Sequence, residues 1–115
     1  MVRRLMARRV AAGILLAGLV CAPTAQADGA TASGVGARRC SAFGAALERD
    51  SAAALDAYVS WSQGFIAGFN WSNVRQRNVS IDAAAIINWL GQYCAARPTA
   101  RVFDAVQELI RRNAR

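Results

Sequence analysis

The sequence predicts an all-α fold, a small four-helix domain cross-linked by one disulfide. Apolar residues recur at helical spacing through residues 39–115, and no alternating apolar and polar pattern of a β-strand is present. Polar breaks and a proline divide this region into four segments. Two cysteines, Cys40 and Cys94, flank the central part of the region.

The first 27 residues predict a secretory signal peptide. Residues 1–9 carry four arginines, residues 10–20 are apolar, and Ala25-Gln26-Ala27 is a small-x-small cleavage site. The apolar run is shorter than the ~20 residues that a helix needs to span a bilayer. We therefore expect export by the general or twin-arginine route, cleavage near Ala27, no stable membrane insertion, and a mature protein that is periplasmic or secreted.

The composition of the mature chain limits its partners. From Asp28 onward there are ten arginines and seven acidic residues, so the net charge is +3 rather than the +7 of the whole chain. The basic clusters are scattered and lack interleaved aromatic residues, and we expect no nucleic-acid partner. Residues 28–38 are rich in Gly, Ala, Ser and Thr and predict a flexible N-terminal arm ahead of a helical domain at 39–115.

Cysteine usage predicts a disulfide between Cys40 and Cys94. The third cysteine, Cys21, leaves with the signal peptide. An exported chain with just two cysteines in an oxidising compartment favours their pairing, and two buried free thiols are the alternative. In the chain-entropy model, closing this loop stabilises the fold by roughly 4 kcal/mol. That is a large share of the ~5–15 kcal/mol typical of a domain.

The first two helices are predicted from spacing and caps. Cys40, Phe43 and Leu47 recur on one face of a short first helix. Ser51 is a suitable N-cap for a long second helix. Polar residues end the second helix, and Asn78 is expected to adopt a left-handed turn conformation.

The last two helices are predicted in the same way. Ser80 is expected to cap the third helix, with Asp82 in its first turn, and Pro98 ends it. Thr99 is expected to cap the fourth helix. The apolar positions of the fourth helix give it an amphipathic pattern: Val102, Phe103, Val106, Leu109 and Ile110.

The second helix combines a ridge of small residues with a ridge of aromatic residues. Ser60, Gly64 and Gly68 recur at i, i+4 spacing. Because glycine costs about 1 kcal/mol relative to alanine in a helix, this ridge predicts close packing of the third helix against it. Core packing is the ordinary interpretation of such a helix, but it carries more aromatic surface than one small core is expected to bury, so part of that surface is a candidate for an apolar binding face or a dimer interface. The candidates for that face are Tyr58, Trp61, Phe65, Phe69 and Trp71.

Residue types disfavour catalysis. The chain has no histidine, which excludes Ser-His-Asp, Cys-His and histidine-metal sites. The acidic residues Glu48, Asp50 and Asp56 are close in sequence, and we interpret them as solvated or capping groups rather than an acid–base pair. We expect no enzymatic activity, no cofactor and no metal site.

Three short stretches resemble the HdeA/HdeB family of small periplasmic acid-stress chaperones. They are Cys40 with Phe43, "QGFIAGFN" at 63–70 and "YCAARP" at 93–98, and the likeness extends over most of residues 39–112. The resemblance implies a compact helical domain that is a homodimer at neutral pH and that, in acid, dissociates and binds denatured proteins through apolar surface. Protonation of seven carboxylates would move the mature charge from +3 to +10, which destabilises compact states.

Two other classes remain open at this point. The first is a periplasmic immunity or inhibitor protein with one specific protein partner. Small helical immunity proteins of type VI secretion also combine a disulfide with a Gly-x-x-x-Gly helix, but one of their cysteines lies within that helix, whereas Cys40 and Cys94 flank it. The second is a small enzyme, which the residue types disfavour. The partners that we expect are therefore unfolded clients, one specific protein, or a second copy.

Overall fold

A computed structural model describes residues 31–73, 75 and 78–114. A 3₁₀-helical turn, Gly34–Ala37, precedes four α-helices. The helices are α1 (Cys40–Glu48), α2 (Ala52–Ser72), α3 (Ala83–Ala96) and α4 (Val102–Asn113). Within these described ranges there is no β-strand, and the only β-type pairing is an isolated antiparallel bridge between Arg39 and Arg101. The predicted all-α, four-helix class is confirmed.

The predicted disulfide joins Cys40 to Cys94. Their Cα atoms are 4.7 Å apart, and both residues are buried. Cys40 is the first residue of α1 and Cys94 lies in the last turn of α3. The bond therefore ties the start of the helical domain to the end of its third helix.

All four helices contribute side chains to one core. The α1 side chain Phe43 is fully buried, and its ring packs edge-on against Tyr58 of α2 with 5.2 Å between ring centres. Ile86 and Leu90 enter from α3. The amphipathic pattern of α4 is confirmed, because all five of its predicted apolar positions are buried: Val102, Phe103, Val106, Leu109 and Ile110.

The start of α2 agrees with the sequence, but the turn residue before it was not predicted. The Ser51 hydroxyl accepts a hydrogen bond from the amide of Ala54 at 3.4 Å, as an N-cap does. Among the non-glycine residues that the structure describes, Asp50 has the left-handed conformation, with φ of 49°, and the prediction of Asn78 for it is wrong. Asp50 reverses the chain directly after α1, where only Arg49, Asp50 and Ser51 separate two helices.

The caps of α3 and α4 differ from those predicted. Asp82, not Ser80, is the N-cap of α3, and its Oδ1 accepts from the amide of Ala85 at 2.8 Å. The helix starts later because the Asn70 side chain binds both the N–H and the C=O of Val79, each at 2.8 Å, and holds the chain at the core there. At α4 the N-cap position is occupied by Arg101.

Thr99 does not cap α4, because the bridge to residue 39 fixes the backbone at Arg101 and delays the helix to Val102. The carboxylate of Asp104 then accepts from the backbone N–H of Arg101 at 3.0 Å and forms an ion pair with its guanidinium at 3.1 Å. Asp104 thus takes the capping role at the N-terminus of α4.

The segment expected to be a flexible arm is folded in the part that the structure describes. Residues 31–38, hereafter the strap, lie against α2 and α4. The amide of Val102 donates to the carbonyl of Arg38 at 2.9 Å, and Gly36 is buried. The prediction failed because it considered hydrophobicity alone, whereas the strap packs through its backbone. The predicted signal peptide, and residues 28–30 of the arm, lie outside the described residues.

Candidate protein-binding site

An aromatic ridge lines the side of α2 that meets α4. Trp61 and Phe65 stack in parallel with 5.4 Å between ring centres. Both rings meet Phe103 of α4 edge-on, at 6.4 and 5.3 Å. Trp61, Phe65 and Phe69 are each half-buried and pack against the core. Successive turns of α2 therefore present three large, partly exposed rings, of which Trp61 is also covered by Gly34 and Gly36 of the strap.

Two adjoining cavities run along this ridge and share Phe65. The first has a volume of about 400 Å³ and is lined by residues of the strap together with Ser60, Trp61, Gly64, Phe65 and Phe103. The second has a volume of about 300 Å³ and is lined by Phe65, Phe69, Gln107, Ile110 and Arg111. We call the surface formed by Trp61, Phe65, Phe69, Phe103 and Ile110 the aromatic groove.

Two of the five predicted face residues do not belong to the groove. Tyr58 is 2% exposed and packs in the core against Phe43, so its assignment to a binding face is wrong. It lies on the inner stripe of α2 with Val59, Ser62 and Ile66. Trp71 is 89% exposed but lines neither cavity of the groove. Trp61, Phe65 and Phe69 are the members of the predicted face that the structure brings together.

The ridge of small residues faces solvent instead of α3. Ser60, Gly64 and Gly68 are exposed, and no heavy atom lies within 4 Å of a Cβ built at either glycine. The prediction that α3 packs closely against this ridge is wrong, because α2 turns its inner stripe toward the core. The glycines instead leave bare helix backbone beside the aromatic groove, and Ser60 and Gly64 form part of its first cavity.

The last turns of α4 carry a cluster of charged side chains, of which Arg111 reaches the groove. Glu108 forms ion pairs with Arg111 at 3.0 Å and with Arg112 at 3.1 Å. The hydrogen bond from Arg112, aided by the positive charge of both arginines, lowers the pKa of Glu108 below its ordinary value of 4.5. Arg111 also lines the second cavity, so a positive group lies at that end of the groove.

A separate polar cleft of about 490 Å³ lies between α3 and α4. The Arg97 guanidinium lies 4.6 Å from the centre of the Tyr93 ring, and that of Arg112 lies 4.9 Å from the Trp89 ring. The Trp89 indole N–H donates to the carbonyl of Ala105 at 2.8 Å, which fixes the ring between the helices. This cleft is a stacked arginine–aromatic surface and contributes nothing to the aromatic groove.

The described ranges contain no group of three or more His, Cys, Asp or Glu side chains placed to hold a metal ion. Glu48, Asp50 and Asp56 are all exposed.

No helix in the described ranges is both long enough and apolar enough to cross a bilayer. The arrangement of side chains in the groove is suited to binding apolar groups.

Sequence reasoning missed two contributors to the groove, Phe103 and the strap. Phe103 was counted only as an inner residue of α4, although its ring also forms the floor beneath Trp61 and Phe65. The strap carried a signal in "SGVGA", where two glycines two residues apart permit backbone to lie flat on a large ring. A tryptophan whose N–H needs an acceptor was the other half of that signal.

No protein-family model, curated protein or solved structure matches this chain. The class defined by the fold and the groove is a small disulfide-linked α-helical domain with an apolar groove. The resemblance to the HdeA/HdeB family stays a prediction.

Proposed function

We propose that this protein is an exported helical binding protein that holds apolar segments of other proteins in the aromatic groove, and that it acts as an acid-stress periplasmic chaperone. The observation that carries the proposal is the partly exposed row of Trp61, Phe65 and Phe69 beside the bare backbone of Gly64 and Gly68. Contiguous apolar surface of this kind on a small protein marks a binding site.

The shape of the groove supports a protein ligand. Its cavities of about 400 and 300 Å³ are open and adjoin at Phe65, so two neighbouring apolar side chains of one segment can enter them together. The absence of side chains at Gly64 and Gly68 lets a partner backbone approach α2 closely. The groove therefore places little restriction on the sequence of the bound segment, because aromatic walls accept any apolar side chain.

Acid acts on α4, which borders the groove. Carboxyl groups are largely protonated at pH 2–3. Protonation of Glu108 breaks its ion pairs with Arg111 and Arg112 in the last turns of α4. The wall formed by α4 is thereby weakened, while the disulfide keeps α1 and α3 joined. The groove is then able to widen without loss of the whole fold.

The direct test is suppression of aggregation by the mature chain, residues 28–115, at pH 2–3 and at pH 7, with the size of the protein measured at both. The proposal expects suppression in acid that Phe69→Ser weakens about tenfold, because the variant removes roughly 1.5 kcal/mol of apolar contact. Trp71→Ser is the matched control, since Trp71 is on the same helix but lines neither cavity. Equal loss in both variants, or no suppression at either pH, contradicts the proposal.

The pH dependence of stability gives a second test. A carboxyl whose pKa is lowered by folding contributes stability above its unfolded pKa, and this contribution is lost as the pH falls through the folded value. For Glu108 the loss therefore occurs below about pH 4.5. We expect Glu108→Gln to lower the melting temperature at pH 7 and to have little effect at pH 2, measured by circular dichroism.

Glu48→Gln is the control for this measurement, since Glu48 is exposed and forms no ion pair with a described residue. A difference between Glu108→Gln and wild type that stays constant from pH 7 to pH 2 rules out the pairing of Glu108 as an acid-sensitive contact.

A specific-partner function, that of a periplasmic immunity or inhibitor protein, is the second candidate. The exposed glycine ridge favours it, because bare backbone on one helix suits a single partner helix that lies close to it. This candidate predicts that Gly64→Leu abolishes a 1:1 complex with one envelope protein. The chaperone proposal instead predicts that Gly64→Leu only reduces binding of many clients.

A further inference from the structure

We propose that the Trp61 indole is a subsite for a glycine-containing peptide main chain, and that the strap occupies it in the free protein as an internal ligand. The inference rests on the proposed function of the aromatic groove and specifies the kind of segment that one end of it accepts. An incoming segment with the same features competes with the strap for the ring.

The contacts of the strap define those features. The Nε1–H of Trp61 donates to the carbonyl oxygen of Ser33 at 2.9 Å. Gly36 lies over the six-membered ring, where a Cβ would overlap Cζ2, Cε2 and Cη2 of the indole. Gly34 has φ of +68°, a conformation that other residues rarely adopt, and lies beside the Cδ1 edge. The ring thus contacts backbone along its length and leaves no room for a side chain at position 36.

The opposite side of the indole is fixed, so the subsite is formed in advance. Phe65 stacks on it, and Phe103 meets it edge-on. A side chain at position 36 would therefore have to displace the Trp61 ring together with the Phe65 and Phe103 rings packed against it. Val35 supplies the remaining contact of the strap by packing against the core. The segment that fits consists of a carbonyl acceptor, an apolar side chain two residues later, and glycine directly after it.

The strap is held weakly enough to be replaced. The amide of Val102 holds the C-terminal end of the strap at the carbonyl of Arg38, and residues 31–37 make only one hydrogen bond to the described helices, the one from Trp61 to Ser33. A competitor must match that bond and the burial of Val35. Since a short tether gives an effective concentration in the millimolar range, a free peptide is expected to compete at millimolar concentration.

The test reads the three tryptophan indole N–H signals of the mature chain by nuclear magnetic resonance. In wild type, the Trp61 indole proton should exchange with solvent at least tenfold more slowly than that of the exposed Trp71. Gly36→Ala should bring Trp61 to the rate of Trp71, because the strap can no longer cover the ring. Gly44→Ala is the matched control, since a Cβ at Gly44 meets nothing within 4 Å, and it should leave Trp61 protected.

The ligand class is tested on the unmodified protein, so the result does not depend on folding of a variant. The probe is the peptide TASGVGA with a nitroxide at its N-terminus, compared with TASGVAA. The first peptide should broaden the Trp61 indole signal at millimolar concentration and leave Trp89 sharp, and the second should broaden neither. Protection of Trp61 in Gly36→Ala, or equal broadening by both peptides, overturns the proposal.

These measurements distinguish failure of the proposed chaperone function from failure of the proposed subsite at Trp61. If the TASGVGA peptide binds at Trp61 but the protein suppresses no aggregation, the subsite stands and the chaperone function falls. If suppression depends on Phe69 but neither peptide reaches Trp61, the groove function stands and the main-chain subsite falls.

Discussion

Replacing both Cys40 and Cys94 by alanine is expected to lower the free energy of unfolding by about 4 kcal/mol, measured by urea denaturation at pH 7. The bond connects residues 54 apart in sequence, and cross-linking a loop of that length removes a large part of the entropy of the unfolded chain. Both cysteines are buried, so a substitution that introduced a hydroxyl would add a separate cost. Alanine avoids that cost and reports on the bond.

The single variants Cys40→Ala and Cys94→Ala separate the bond from the packing of each sulfur. If the lost stability comes from the cross-link, the free energy of unfolding should fall nearly as much in each single variant as in the double variant, since either one removes the whole bond. If instead the losses of the two single variants add up to the loss of the double variant, the sulfur atoms stabilise the fold through packing. A loss below about 1 kcal/mol in the double variant contradicts the entropic account of this disulfide.

This prediction also bears on the proposed behaviour in acid. The disulfide joins α1 to α3, whereas Glu108, whose ion pairs are lost in acid, belongs to α4. Loss of the bond should therefore convert a partial opening at low pH into complete unfolding. Helical circular dichroism at pH 2 should fall further in the double variant than in wild type.

The helices were predictable because their signals are local. Apolar spacing fixed the inner face of α4, and Ser51 marked the start of α2. The caps at α3 and α4 were missed because distant residues determine them. Asn70 holds Val79 and delays α3, and the pairing of residue 39 with Arg101 delays α4. A suitable residue type, such as Ser80 or Thr99, does not become a cap where tertiary contacts keep the chain extended.

The groove was predictable in part for a related reason. Trp61, Phe65 and Phe69 share one side of α2 by spacing alone, but spacing does not tell which side meets the core. The inner stripe runs through Tyr58 and Ile66, which recur at two-turn spacing, and it leaves the glycines outside. Glycines at i, i+4 fit a close neighbouring helix and an open surface equally well, so that ambiguity needed the structure.

Phe43→Ala is expected to lower the free energy of unfolding by about 3–5 kcal/mol, which is as large as the loss of the disulfide. Phe43 is 0% exposed, and its ring fills the space between the disulfide-linked end of α1 and the Tyr58 ring of α2. The core is small and its neighbours are fixed by the Cys40–Cys94 bond, so the surrounding side chains cannot collapse fully into the cavity.

The control for Phe43→Ala is Trp71→Ala, which removes a larger aromatic ring from a residue that is 89% exposed. Its effect should stay within about 0.5 kcal/mol, the range of ordinary surface substitutions. Urea denaturation of both variants at pH 7 gives the comparison. A small loss in Phe43→Ala would mean that the core under α1 is loosely packed. A large loss in Trp71→Ala would mean that Trp71 contacts the domain, so that it could no longer serve as the surface control for the groove.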